Sequence, residues 1–201
     1  RPGATERLSI DCAKEPILEG AGFVHIGGAM KLPRLDLKGL LVAARSRGCV
    51  TSLDTDWDPR GSWMATLKDV LPSVDHLLTN EDEGRMLTRR DDPEEIGKSL
   101  LAAGPRVVVV KRGEKGALLV TREATRDVPA FPMKVLDTTC AGDAFAAGFL
   151  AGLGEGMTLE ESVRYGNAAG ALCTTDVSHR GVVSAAHTKA FMDEGRSGGV
   201  R

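Results

Sequence analysis

Two rhythms of apolar and polar positions run through this chain. Short apolar or β-branched runs stop at glycine or a polar residue: "AGFVHIGG" (21–28), "CVTSLD" (49–54), "VDHLLTN" (74–80) and "RVVVVK" (106–111). Runs of this kind read as buried strands. Between them, leucine and alanine recur at helical spacing in "RLDLKGLLVAARSRG", "GSWMATLKDVL", "EDEGRML" and "DPEEIGKSLLAAG". Gly48 stands where the first of these helices should be capped, and Pro93 near the start of the last. "GALLVT" follows "RVVVVK" across "RGEKG", which predicts a hairpin. "GDAFAAGFLAGL", "TLEESVRYGNAAGALCT" and "SAAHTKAFMDEG" predict three further helices, and "RSGGVR" a disordered tail at 196–201.

Strands separated by helices imply a parallel sheet with crossover helices, an α/β layer fold in one domain over residues 1–195. Ligands of such sheets gather beyond the carboxyl ends of the strands. The polar residues just after each strand are therefore where chemistry is sought.

Composition narrows the reading. Only 4% of the 201 residues are aromatic, so the core must be mainly aliphatic. A net charge of −2 argues against an extended nucleic-acid surface. No apolar run approaches the roughly 20 residues that span a bilayer. The start, "RPGATERLSID", has no apolar signal-peptide region, and it lacks an initiating Met, as processing or a longer parent protein would explain. Cys12, Cys49, Cys140 and Cys173 form no C-x-x-C pair and suit reduced thiols in a cytoplasmic protein. His25, His76, His179 and His187 have no zinc-ligand spacing.

Three stretches could carry chemistry. In "DTTCAGD" (137–143), small residues precede a predicted helix start. The first N–H groups of a helix are unpaired and sit at its positive end, so Cys140, Ala141 and Gly142 could cradle a phosphoryl group. Asp143 would then lie where a carboxylate can take a proton from an attacking hydroxyl. An aspartate in a first helical turn is equally favoured on electrostatic grounds alone. In "TNEDEG" (79–84), Asn80 and Glu83 share a helical face and could hold a hydrated Mg²⁺ and a phosphate oxygen. The same pair could also be an N-cap with its N3 partner. Gly113 and Gly116 lie in a turn that suits an ordinary hairpin or one packed on a nucleotide. Neither a Walker A loop nor a G-x-G-x-x-G occurs.

Taken in order, "LLTNEDEGRML", "VVVVKRGEKGALLV", "VLDTTCAGDAFAAGFLAGL" and "YGNAAGALCT" resemble the ribokinase-like (PfkB) family of carbohydrate kinases. The strongest match is to D-T-x-G-A-G-D, at Asp137 to Asp143. The resemblance runs from about Phe23 to near the last helix and covers the C-terminal part of a family chain. It implies a three-layer, doubly wound, mainly parallel sheet, N-terminally incomplete. It also implies ATP and Mg²⁺ as cofactors, with K⁺ as in many members.

By resemblance, Asp143 is the catalytic base, and the backbone of Cys140, Ala141 and Gly142 is the anion hole. Asn80 and Glu83 order Mg²⁺ and phosphates. Lys111, Gly113 and Gly116 lie where the nucleotide is held, and Asn167 is near the adenine. Asp137 and Thr139 match a monovalent-cation position. "DTDWDPRGSW" is similar to a stretch of sugar-acid and hexose kinases. The expected partners are a sugar or sugar acid and ATP, with no nucleic acid or membrane, and the family suggests a homodimer.

Two departures stand out. Cys140 replaces a usual Gly or Ala, which brings strain if the position needs φ > 0. Its thiol, at a helix N-terminus, is expected to have a lowered pKa and to react faster than the other cysteines. In addition, no counterpart of the family's sugar pocket and lid precedes Arg1. The resemblance implies a sugar kinase. A nucleoside kinase of the same family and a non-catalytic nucleotide-binding module remain the alternatives.

Overall fold

Each apolar run becomes a strand and each leucine–alanine run a helix. The computed structural model describes residues 7–9, 16–177 and 184–197. Cys12, His179 and the last residues of the expected tail fall outside them. The chain divides into two units, Arg1–Val110 with Val120–Ala124, and Lys111–Leu119 with Thr125–Arg201.

The first unit follows a βα alternation: β1 (Phe23–Ile26), α1 (Leu37–Ser46), β2 (Val50–Asp54), α2 (Met64–Leu67), β3 (His76–Asn80), α3 (Glu81–Thr88), α4 (Pro93–Ala102) and β4 (Val107–Lys111). Strands β1, β2 and β3 pair in parallel, with Ile26 opposite Leu53 and Leu53 opposite Leu77. The intervening helices make that direction possible, because a parallel pair needs a crossover. Asp36 caps α1 by accepting from the Gly39 N–H at 2.8 Å. Gly48, at φ 80°, turns the chain out of the same helix as expected. Leu41, Leu53, Leu67, Leu71, Leu77, Leu78, Ile96 and Leu100 are fully buried, an aliphatic core in keeping with the scarcity of rings.

Two elements of this unit differ from expectation. The run "GSWMATLKDVL" gives only one helical turn, α2, followed by a 3₁₀ turn at Leu71–Ser73. The cause lies upstream, in the buried Asp58. Its carboxylate accepts from the Arg60 and Trp63 N–H groups at 2.8 and 2.7 Å, and Trp63 is held at φ 40°, so no helix starts before Met64. Burial pushes the Asp58 carboxyl up, but bonds from the Trp63, Arg60 and Ser62 N–H groups outweigh it and leave the pKa lowered. The other difference is β1, expected to be buried, which exposes Phe23 and His25 at the edge of the sheet.

At the start of β3, Asp75 accepts from the Thr51 N–H and hydroxyl, both at 2.9 Å, with Arg106 3.3 Å from its other oxygen. Beside it, burial lowers the pKa of His76, and Arg106 acts in the same direction against the opposing charge of Asp75. A histidine whose folded pKa lies below its unfolded value stabilises the fold above the unfolded pKa. That contribution is lost as pH falls from 6.5 through the folded pKa. The melting temperature should therefore drop on acidification over this window. His76→Gln should flatten that slope in a pH series of thermal melts.

The second unit holds β5 (Ala117–Val120), except for its last residue, and β6 (Thr125–Val128), α5 (Ala141–Gly154), α6 (Leu159–Cys173) and α7 (Ala185–Ser197). The expected hairpin turn is present, with the Arg112 N–H donating to the Gly116 carbonyl at 2.7 Å. Thr158 starts α6 with a reciprocal capping box to Glu161.

Helices α5 and α6 run antiparallel along a seam of small residues. A Cβ on Gly148 would stand 2.8 Å from the Ala169 Cβ, one on Gly152 3.0 Å from the Ser162 Cα, and one on Gly166 2.9 Å from the Phe145 carbonyl. Only glycine permits that approach. At the seam's end, a Cβ on Gly170 would stand 3.2 Å from the Ala141 carbonyl, which anchors the first turn of α5.

Candidate active site

In the first unit, β3 hands directly into α3. Asn80 is the N-cap, and its side chain accepts from the Glu83 N–H at 2.8 Å. The capping arrangement weighed from the sequence is therefore half present. The Glu83 side chain does not complete it. Glu83 Oε2 instead accepts from the Thr55 hydroxyl at 2.5 Å, and Thr55 Oγ1 lies 3.0 Å from Thr79 Oγ1. Thr55 and Thr79 are fully buried, and Glu83 is 7% exposed.

Among the described residues, no cationic side chain pairs with Glu83. A buried carboxylate without a positive partner is costly, which fits a site that receives a cation. No cluster of three or more His, Cys, Asp or Glu occurs among the described residues.

In the second unit, the 136–143 segment is fixed from both ends. The Leu136 N–H donates to the Thr174 carbonyl at 2.8 Å. Asp137 Oδ1 accepts from both the N–H and the hydroxyl of Thr139, at 2.9 and 2.7 Å. Cys140 sits in the left-handed region, at φ 61°, as the N-cap of α5 with no side-chain cap bond. The Ala141 N–H folds back to the Thr138 carbonyl at 3.1 Å, and the first helical bond comes from Ala144 to Cys140. The N–H groups of Gly142 and Asp143 therefore precede the helical ladder and are the open donors of the turn.

Asp143 is exposed, in the first turn. A Cβ on Gly142 would lie 3.4 Å from Lys111 Nζ, so a cationic side chain stands beside these donors. A helix start with open N–H groups, an ammonium beside it and a carboxylate in its first turn are suited to receiving an anion next to a base.

The Gly113 and Gly116 turn lies at φ 58° and 86°. Space is open above Gly113, whereas a Cβ on Gly116 would stand 2.5 Å from the Ala130 nitrogen and 2.6 Å from the Pro129 carbonyl carbon. Asn167 is buried at 8% exposure. Its Nδ2 donates to the Val128 and Pro129 carbonyls at 3.0 and 3.1 Å, so it fixes the backbone that Gly116 underlies.

Two expectations about Cys140 are settled here. Its position does need φ > 0, so Cys140→Gly should raise the melting temperature by about 2–4 °C in a thermal melt. The expected lowering of its pKa is overturned. Partial burial, the hydrogen bond that the thiol donates to the Asp143 carboxylate and the charges of Asp143 and Asp137 raise it. Cys173, whose thiol lies 3.6 Å from the Thr139 carbonyl, is raised as well, first by burial.

Thr55 and Thr79 are the functional-site neighbours that sequence reasoning did not single out. The available signal was their place at the carboxyl ends of β2 and β3, one residue from Asp54 and Asn80.

The chain matches the family described as pfkB family carbohydrate kinase over residues 2–185. It is 42% identical over 103 residues to a cytidine kinase of Thermococcus kodakarensis, covering 50% of this chain and 37% of that protein. It is 30% identical over 205 residues to probable fructokinase-5 of Arabidopsis thaliana, covering 94% of this chain and 62% of that one. The solved structure of a putative ribokinase II from E. coli in complex with ATP and Mg²⁺ superposes with a TM-score of 0.77 at 26% identity, over 89% of this chain and 60% of that one. The fold is thus the ribokinase-like α/β fold anticipated from the sequence, and the chain spans less than two thirds of the length of each of these relatives.

Proposed function

The chain belongs to the pfkB family of carbohydrate kinases, and on that premise we propose that it carries the phosphate-transfer machinery of an ATP-dependent sugar kinase. The supporting observation is the start of α5, where exposed Asp143 and the open N–H groups of Gly142 and Asp143 lie beside Lys111.

In this reading, the acceptor hydroxyl attacks the γ-phosphorus of ATP, its proton passes to the Asp143 carboxylate, the bond from phosphorus to the β-bridging oxygen breaks, and ADP leaves. The N–H groups at the start of α5 receive the charge that develops on the transferred oxygens. Lys111 adds positive charge there. The Gly113–Gly116 turn lets the backbone approach the nucleotide, and Asn167 fixes residues 128–130 near the adenine. Glu83, with Asn80 as its cap, holds hydrated Mg²⁺, which when bound neutralises phosphate charge. Asp137 and Thr139 are the monovalent-cation position, and K⁺ the ion.

The acceptor is a sugar or sugar acid, a preference that rests on the "DTDWDPRGSW" stretch. A nucleoside acceptor is the second reading, favoured by the 42% identity to a cytidine kinase. The family match runs through both units and supports reading residues 1–195 as one domain. Free Cys49, Cys140 and Cys173 suit a cytoplasmic setting, and no helix of the described residues is long and apolar enough to cross a membrane. The resemblance extends to a homodimer.

The test is ATP·Mg²⁺ binding by calorimetry beside ADP production over a panel of sugars, sugar acids and nucleosides. Sugar-dependent ADP production supports the first reading and cytidine-dependent production the second. Nucleotide binding with no turnover on any acceptor would leave a binding module.

A further inference from the structure

We propose that Thr55 is a positioning residue for Glu83, and that a buried line of hydroxyls, Thr79 to Thr55 to Glu83, sets which carboxylate oxygen meets the hydrated cation. The inference rests on the kinase reading above and adds residues that reading does not use.

The direction of the line follows from counting protons. An ionised carboxylate only accepts, so at 2.5 Å the single hydroxyl proton of Thr55 must point to Glu83 Oε2. At its 3.0 Å contact with Thr79, Thr55 can then only accept, and the one Thr79 proton, which also has the Asn80 carbonyl at 3.3 Å, is directed in this line to the nearer Thr55 oxygen. Each bond polarises the next, and burial strengthens both. The backbone of Thr55 is tied on both sides, its N–H to the Leu78 carbonyl at 3.2 Å and its carbonyl to the Met30 N–H at 3.4 Å. The hydroxyl is thus a fixed reference point, and Glu83 reaches it across 28 residues of sequence. With Oε2 committed to Thr55, Oε1 is left for the water shell of the cation. Outer partners of this kind typically change metal affinity about 10–100-fold when removed.

The experiment uses the full chain with Mn²⁺ as the probe and a non-hydrolysable ATP analogue, reading bound Mn²⁺ by electron paramagnetic resonance. Thr55→Val keeps the shape and removes the hydroxyl. It should weaken Mn²⁺ affinity in the ternary complex roughly 10-fold or more, with metal-free nucleotide affinity unchanged, and Thr55→Ser should restore most of the loss. Should Thr55→Val fail to fold, Thr79→Val removes the donor onto Thr55, together with the 3.3 Å contact to the Asn80 carbonyl, and should weaken Mn²⁺ in the same direction by less. Parent-like Mn²⁺ affinity in the folded valine variant overturns the proposal. So does an equal loss of metal-free nucleotide affinity, the mark of a purely structural role. If the parent chain takes up no Mn²⁺ with the analogue, the kinase reading itself falls and this inference with it.

Discussion

Turnover by the Asp143→Asn protein should fall by about 10²–10⁴-fold, the usual worth of a general base. The amide replacing the carboxylate is nearly isosteric and can still hydrogen-bond, but it cannot take the proton of the acceptor hydroxyl. Affinity for ATP should hold or rise, because a negative charge beside the open Gly142 and Asp143 N–H groups has gone. The side chain is exposed, and its charge at the helix start is worth only about 0.3–1 kcal/mol, so the melting temperature should barely move. That dissociation between large kinetic and small thermal effects is the discriminating result. A small stability loss with turnover intact would return Asp143 to the role of a helix-start charge. The matched Asp137→Asn protein should behave differently. It removes the acceptor of two bonds from Thr139 and should loosen the turn and blunt any response to K⁺.

The second large effect is structural. Gly116→Ala should destabilise the protein by about 2–4 kcal/mol, combining backbone strain with overpacking. At φ 86° and ψ −132° the residue occupies a region that an L side chain avoids, and its Cβ would drive into the 128–130 backbone. Asn167 holds that backbone from elsewhere through the Val128 and Pro129 carbonyls, so it cannot simply retreat. Urea unfolding measures the loss. In the proposed site the same displacement should weaken ATP binding, whereas Gly113→Ala, with open space above it, should cost markedly less in both assays. Equal effects at the two glycines would contradict this account.

Much of this was legible in the chain because local chemistry decided it. Short apolar or β-branched runs became β2, β3 and β4, and Asp92 with Pro93 opened α4 as such pairs do. The segment 137–143 stood out through its similarity to D-T-x-G-A-G-D, since by spacing alone an aspartate in a first helical turn is favoured electrostatically whatever its function. What stayed hidden depends on distant partners. β6, "TRDV", is short and polar, and nothing local marks it as a strand. The shortness of α2 depends on where Asp58 sends its oxygens. The Thr55–Glu83 bond joins residues 28 apart, and no periodicity encodes it. The Cys140 thiol misled for a related reason. The helix end is visible in sequence, but the burial of the sulfur and its closeness to Asp143 and Asp137 are not.

The glycine seam between α5 and α6 carries a consequence for the energetics of anion capture. Sliding α5 by one residue would push Phe145 or Ala169 into a space that only a hydrogen atom fills, so the pair has a single register. The N–H dipoles at the head of α5 are therefore aimed before any ligand arrives. The reorganisation that water would undergo around a developing charge is replaced by orientation completed during folding. In the proposed site, phosphate capture at this turn should accordingly carry a small entropic penalty.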